Sequence, residues 1–342
     1  MKDIDFVLPW VDPSDTVWQG KRSKYNGKYK AVSNSDARFR DFDTLRYVFR
    51  SIETNCPWYR KIHLITEGHV PNWLDINNER INIVKHDEIY NINQHLPTFN
   101  SSSIEMNLPF IKGVSEKFIY LNDDMIFFNK LEPGRFFKNN IPVDFLETSL
   151  IKRGKLFKFL RGESIWVESL NNNLRLINES NPASKIKNEI LFHKTYGIKT
   201  NVKNFISKYI LRQVLWVEHW HHPQPYLKST LGKVVTEFKD EMMKSSSNKF
   251  RQSNDLTHYI YRYWHLFRGD FIPYNYNDAY IKNIITKEDA SLAINFLSGN
   301  GHIKFVCLND DEKMHDEDKD IIYELINNFL SEKFPAKSSF EI

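Results

Sequence analysis

The chain has 342 residues, 47 of them Lys or Arg and 43 Asp or Glu, for a formal net charge of +4, an excess too small to argue for nucleic acid by bulk electrostatics. Apolar residues make up 41% and aromatics 14%, enough to bury a core in one large domain or two of ordinary size. Two cysteines, Cys56 and Cys307, without CxxC or Cys/His zinc spacing, exclude a disulfide framework, and no window approaches the roughly eighteen uninterrupted apolar residues of a membrane span.

The N-terminal MKDIDFVLPWVD places acids where a signal peptide needs a basic and then an apolar stretch, so the expectation is a soluble, cytoplasmic protein of a reducing compartment. Strands are expected at 4–10, 61–66, 81–85, 117–122, 143–147 and 304–308. Several are apolar on successive residues, as strands covered on both faces are, which predicts an α/β core with a mostly parallel sheet over 1–150. In 43–55, Leu45, Val48, Phe49 and Ile52 form one helical face, and Pro57 stops that helix. Residues 151–300 turn helical: Leu227, Leu231, Val234, Val235, Phe238 and Met242 mark one amphipathic helix with Pro225 in its first turn. Leu256, Tyr259, Ile260, Tyr263 and Phe267 mark another, after Ser253-Asn254-Asp255. This block reads as an insertion between strands of one sheet, with 301–342 returning a strand and a helix near 318–334.

One phrase occurs twice. FIYLNDDMIFF (118–128) interrupts an apolar run with Asn-Asp-Asp, and KFVCLNDD (304–311) repeats it in register with 117–124. A strand ending in this way puts carboxylates on the rim of an α/β sheet, where ligands bind. Adjacent aspartates there attract a hard divalent cation, Mg²⁺ or Mn²⁺, whose free positions take phosphate oxygens. If Asn309 and Asp310 end a neighbouring strand, the two copies face one ion or one ligand. The alternative is a plain turn, which Asn and Asp also favour.

Other polar groups point the same way. Arg38 and Arg40 precede the first helix and suit phosphate recognition, whereas Arg50 reads as part of a salt-bridge network. His219, His221 and His222 in HWHHPQPY offer a general base at neutral pH, with packed or surface histidines as the alternative. Arg251 stands just before a helix, in KFRQSND. The stretch IKRGKLFKFLRG (151–162) alternates Lys/Arg with Leu/Phe, a pattern that fits a solvated amphipathic face and also a contact with an anionic lipid-linked or polymeric acceptor at the inner face of the cell membrane.

Together these blocks resemble the Stealth family of hexose-1-phosphotransferases, which act in capsular and cell-surface polysaccharide synthesis and include the catalytic core of GlcNAc-1-phosphotransferase. IDFVLPWVDPSD (4–15) is similar to the first family block, and 38–75 with LPTFNSSSIEMNL and FIYLNDDMIFF to the second. HHPQPYLKS with NKFRQSNDL is similar to the third, and KFVCLNDD to the fourth. Asn100-Ser101-Ser102-Ser103 stands where members often have Ser-Ser-Pro-Ala. The resemblance implies a Rossmann-like nucleotide-sugar-binding core, a UDP-hexose or UDP-N-acetylhexosamine donor, a divalent cation, and a glycan or lipid-linked oligosaccharide acceptor. It also implies attack on the phosphorus attached to the sugar, with release of UMP. Asp123 and Asp124, with Asn309 and Asp310, are then expected to hold metal and diphosphate, with Asn122 beside them. His221, first in a His-x-Pro-x-Pro pattern, is expected as base with His222 in reserve, and Arg251, Arg38 and Arg40 on phosphate charge. Trp10 and Asp12 are expected in the nucleotide pocket, and Glu105 at the sugar or a cationic partner. Two rival readings stand beside this one, a metal-dependent glycosyltransferase that would release UDP and a non-catalytic carbohydrate-binding protein.

Overall fold

The apolar runs of the first 120 residues become a sheet buried on both faces. In the computed structural model, which describes residues 3–26, 43–310, 313–314 and 316–342, four strands run parallel: β1 (Ile4–Pro9), β2 (Ile62–Thr66), β3 (Ile81–Lys85) and β4 (Lys117–Tyr120). Their order is β4-β1-β2-β3, and β10 (Gln224–Leu227) adds an antiparallel edge beside β4. The chain therefore crosses from one edge to the far side of β1, which makes a topological switch point between β1 and β4. Successive side chains alternate between faces. Phe6, Leu8 and Leu64 join the core under the helix Thr44–Asn55 and the C-terminal helix Asp316–Lys333. Val7, Ile65 and Phe118 join the core under the helices Ile165–Ser180, Lys228–Glu237 and Tyr259–Arg268.

A second sheet stands beside the first. β13 (Phe305–Asp310) pairs in parallel with β12 (Ala279–Ile284) and antiparallel with β5 (Met125–Phe127). Smaller pairings join β6 (Phe137–Lys138), β7 (Ile141–Asp144) and β11 (Ile272–Pro273), and also β8 (Thr148–Ser149) and β9 (Trp216–Val217). The strand expected at 304–308 forms in this second sheet, where it pairs with β5 from before the helical block. That block also lends β10 to the first sheet. Pro225, expected in a helix, lies in β10, where an edge strand tolerates a residue without an N–H. The helix expected through 242 breaks at Phe238 (φ −119°, ψ 33°), whose buried ring meets Trp264. Arg50 forms a two-pronged ion pair with Glu341, at 2.7 Å on each prong, which ties the helix Thr44–Asn55 to the C-terminus.

One buried ion cluster locks the helical block to the core. Arg262 donates to Asp144 Oδ1 at 2.9 Å, and His265 Nε2 lies 2.8 Å from Asp144 Oδ2, with all three residues buried. Burial works to raise the Asp144 carboxyl, but Arg262 and His265 outweigh it and hold the group below the usual carboxylate range. Arg262→Met leaves that carboxylate buried without its main partner, so chemical denaturation is expected to show a loss of about 3–5 kcal/mol. A variant as stable as the parent would show that this cluster does not hold the block in place.

Candidate active site

The Asn-Asp-Asp of the first LNDD copy is the corner at which the chain leaves the first sheet for the second. β4 ends at Tyr120, the Met125 N–H donates to the Asn122 carbonyl at 3.3 Å, and β5 then starts beside β13. The Thr44 hydroxyl donates to the Asp123 carbonyl at 3.1 Å and pins the corner to the helix beneath it. An apolar run resumes after the turn because both flanking strands are buried, each in its own sheet. The corner opens on a cleft of about 660 Å³ at the switch point, walled by the strand ends on one side and the helical block on the other.

Five histidines line this cleft among the described residues: His86, His219, His221, His222 and His258. Burial pushes His86, His222 and His258 down to about 3 and His219 well below its ordinary value, so these four are neutral. Burial works in the same direction on His221, but the charge of Asp124, whose Oδ2 lies 3.5 Å from His221 Nε2, outweighs it and raises the imidazole above its ordinary value. Asp124 answers in kind: burial would raise its carboxyl, yet His221 holds it below the usual range. His222 is packed against Tyr276, with ring centres 4.5 Å apart, and lies 2.7 Å from the Trp220 carbonyl through Nδ1.

Across the cleft, Glu105 closes the helix Ser101–Glu105. Its carboxyl accepts the His258 N–H at 2.7 Å and the Tyr120 hydroxyl at 3.2 Å. Burial pushes this carboxyl up to about 7, against those bonds and the nearby charge of Arg251. Arg251 lines the cleft and donates to Ser101 Oγ at 2.8 Å. Asn100 caps the same short helix through Ser102 N at 3.0 Å and donates to Asp255 Oδ2 at 3.0 Å. Ser103 Oγ donates to the Ser246 carbonyl at 2.6 Å. The Asn-Ser-Ser-Ser run thus clamps the Arg251 loop to the strand side of the cleft.

The donor set fits a hard cation. Asp124 Oδ1 is buried and has no hydrogen-bond partner among the described residues, and Asp123 lines the same cleft. A buried anionic oxygen without a donor is what a divalent ion satisfies. Ligand atoms of Asp124, His221 and Cys307 also lie within 4.8 Å of one another. Burial and the Asp124 charge push the Cys307 thiol well above its ordinary range, however, and its sulfur donates to Asn309 Oδ1 at 2.8 Å. Asp123 and Asp124 supply oxygen donors of the kind Mg²⁺ and Mn²⁺ take.

Of the residues singled out from the sequence, the cleft gathers Trp10, Glu105, Asn122, Asp123, Asp124, His221, His222 and Arg251. Asn309 is not among them: its amide donates to Asn283 Oδ1 at 3.2 Å and its oxygen takes the Cys307 thiol. The register explains why, since Cys307 pairs with Met125, which sets Cys307 and not Asn309 against Asp124. Asp310 ends β13 opposite Ile284, and its side chain lies outside the described residues, as do Arg38 and Arg40. Asp12 is turned to a local task, accepting from Ser14 N at 2.8 Å while its own N–H donates to His69 Nε2 at 2.9 Å. Residues not foreseen include Cys307, His258, and Glu67 and His86 just past the ends of β2 and β3. The signal for the last two was their position, because ligands gather beyond the carboxyl ends of parallel strands. Both ring nitrogens of buried His86 are without a hydrogen-bond partner among the described residues.

Three family models match the chain: Stealth protein CR1, conserved region 1, over residues 2–30; Stealth protein CR2, conserved region 2, over 38–144; and Stealth protein CR4, conserved region 4, over 299–342. His221 and Arg251 lie between the matched regions. The capsular polysaccharide phosphotransferase WcwK of Streptococcus pneumoniae is 36% identical over 346 residues, spanning 100% of this chain and 98% of its own. The exopolysaccharide phosphotransferase cps2G of Lactiplantibacillus plantarum is 32% identical, over 99% of this chain and 96% of its own. Among solved structures, the galactosyltransferase LgtC covers 96% of this chain and 95% of its own at 12% identity and a TM-score of 0.38, a likeness too distant to carry an argument.

The Glu105 carboxyl sets a pH dependence of stability. Its pKa in the folded chain, about 7, lies above its ordinary 4.5, so the folded state keeps a proton that the unfolded state releases. Stability of the metal-free protein is therefore expected to fall by about 3 kcal/mol as pH rises through that window. Glu105→Gln is expected to flatten this part of the profile in urea melts, and an unchanged slope would mean that the carboxyl ionises as it does in water.

Proposed function

The chain belongs to the Stealth family, and from that premise we propose that it transfers a sugar-1-phosphate from a UDP-hexose or UDP-N-acetylhexosamine to a glycan hydroxyl in capsular or cell-surface polysaccharide synthesis. One observation carries the reading. At the switch point of the sheet, two adjacent carboxylates, a histidine whose pKa is raised by one of them, and an arginine on the facing loop line a single cleft. Phosphoryl transfer asks a protein for positioning and for answers to phosphate charge, and these side chains supply both.

Asp123 and Asp124 would hold Mg²⁺ or Mn²⁺, which when bound neutralises charge on the donor phosphates. His221 takes the proton of the acceptor hydroxyl on Nδ1, the ring nitrogen not facing Asp124, and Asp124 stabilises the imidazolium that results. The acceptor oxygen bonds to the phosphorus attached to the sugar, the bridging oxygen leaves that phosphorus, and UMP departs. His222, neutral and pushed to about 3, is too weak a base for this step at neutral pH. Arg251, with Arg38 and Arg40 from the matched second region, meets phosphate charge. Trp10 and His86 wall the strand-end side where the nucleotide would lie, and Glu105 orients the sugar.

The test is the nucleotide released when the protein is incubated with Mg²⁺ or Mn²⁺, UDP-sugars and a polysaccharide acceptor. UMP is expected; UDP would transfer the reading to a glycosyltransferase. Asp124→Asn and His221→Ala are each expected to lower kcat by about 100-fold or more, and chelation of divalent ions to abolish turnover reversibly. Full turnover in either variant would overturn its assigned role.

A further inference from the structure

The helix Gly197–Phe205, continued by the wider turn Ile206–Ile210, is built inside out. Its buried positions are polar: Thr200, Asn204 and Ser207. Asn204 Oδ1 accepts from Thr148 N at 3.0 Å and Thr148 Oγ1 at 2.9 Å, and Ser207 Oγ donates to Thr148 Oγ1 at 2.9 Å, so this face is sewn to β8. The apolar residues point the other way. Ile198, which is 85% exposed, forms one stripe with Val202, Phe205 and Tyr209 at helical spacing. The Phe192 ring stacks on Tyr209 at 6.2 Å and extends the stripe. β8 then runs directly into a second exposed apolar stretch, which holds Leu150, Ile151, Phe159 (86% exposed) and Leu160.

Charge identifies what covers this face. Residues 150–162 contain five Lys or Arg and 191–217 another five, with no acidic residue in either stretch. Arg153, Lys158 and Lys203 are ion-paired with Glu218, Glu168 and Glu147, and the other seven have no ion pair among the described residues. A second copy would bring like charges together. An anionic bilayer answers both features, taking the apolar stripe into its acyl boundary and the cations onto its phosphates. The stretch 150–162 connects to the cleft wall: Arg153 lies over the ring of buried Trp216 at 4.0 Å, and Trp216 lies 6.4 Å ring to ring from Trp166, which lines the cleft and is partly exposed. Among the described residues no helix is long and apolar enough to cross a membrane, so the contact is one of lying on the bilayer.

We propose that the apolar, cationic face formed by 150–161 and 192–212 docks on an anionic phospholipid surface and sets the mouth of the cleft at the bilayer, where a lipid-linked glycan acceptor is presented. The choice of acceptor rests on the function proposed above; the docking does not. Vesicles of phosphatidylcholine with phosphatidylglycerol are expected to carry the full chain with them on flotation, and vesicles of phosphatidylcholine alone are not. High salt is expected to release the protein. Replacing Phe159, Ile198 and Phe205 with Ser is expected to weaken vesicle binding by at least roughly tenfold, with an unchanged melting temperature and unchanged transfer to a soluble acceptor. Failure to float with anionic vesicles, equal binding to both vesicle types, or unaltered binding by the substituted chain would each overturn the proposal. So would a concentration-dependent dimer without vesicle binding that the substitutions abolish, since the face would then be a self-association surface. Loss of turnover on soluble acceptors in the parent chain would count against the proposed reaction and leave the docking result standing.

Discussion

Asp124 sits where the chain leaves β4 and enters β5, and a carboxylate at such a corner costs free energy unless something answers its charge. His221 provides that answer from the helical block, which ties a loop of the insertion to the rim of the first sheet. The corner also brings β5 against β13 and so fixes where the second sheet stands. Cleft, second sheet and inserted block therefore share one constraint: each must meet at a half-buried acid whose buried Oδ1 has no hydrogen-bond donor among the described residues.

The histidines show how burial and charge divide the labour of one cleft. Four are neutral and serve as packing faces, as His258 does on Tyr120 with ring centres 4.6 Å apart and His219 does with the Tyr263 hydroxyl. The fifth, His221, alone lies against an ionised carboxylate and alone is raised. Five residues of the same type in one cavity thus have separate chemistry because their neighbours differ. Glu105 illustrates the converse, since its two hydrogen bonds do not offset burial and its carboxyl is poised near neutrality.

The helical block serves as wall and edge together. It contributes β10 to the first sheet, closes the cleft with the loop of Arg251, and buries Arg262 and His265 on Asp144 to hold that arrangement. Its helix Gly197–Phe205 spends polar groups on β8 and leaves apolar ones outside, the reverse of what packing against a core requires. Charge and hydropathy then agree on the same exterior face.

The parallel strands, the helix over 44–55 and the first LNDD turn were legible because each is a local pattern: runs apolar on successive residues, an apolar stripe at helical period, and turn residues after a strand. The first copy's acids, His221, Arg251 and Glu105 were legible as residue types and do meet in one cleft. The second copy was misleading, because a repeated phrase says nothing of register; pairing of Cys307 with Met125 turned Asn309 toward Asn283. Pro225 read as a helix start, yet a neighbour distant in sequence, β4, made it an edge strand. The amino-acid sequence thus determined the elements and the kinds of chemistry present. Tertiary structure decided which carboxylate oxygen is buried, which histidine is raised and which apolar face stays outside, since each depends on desolvation and on partners brought from far along the chain.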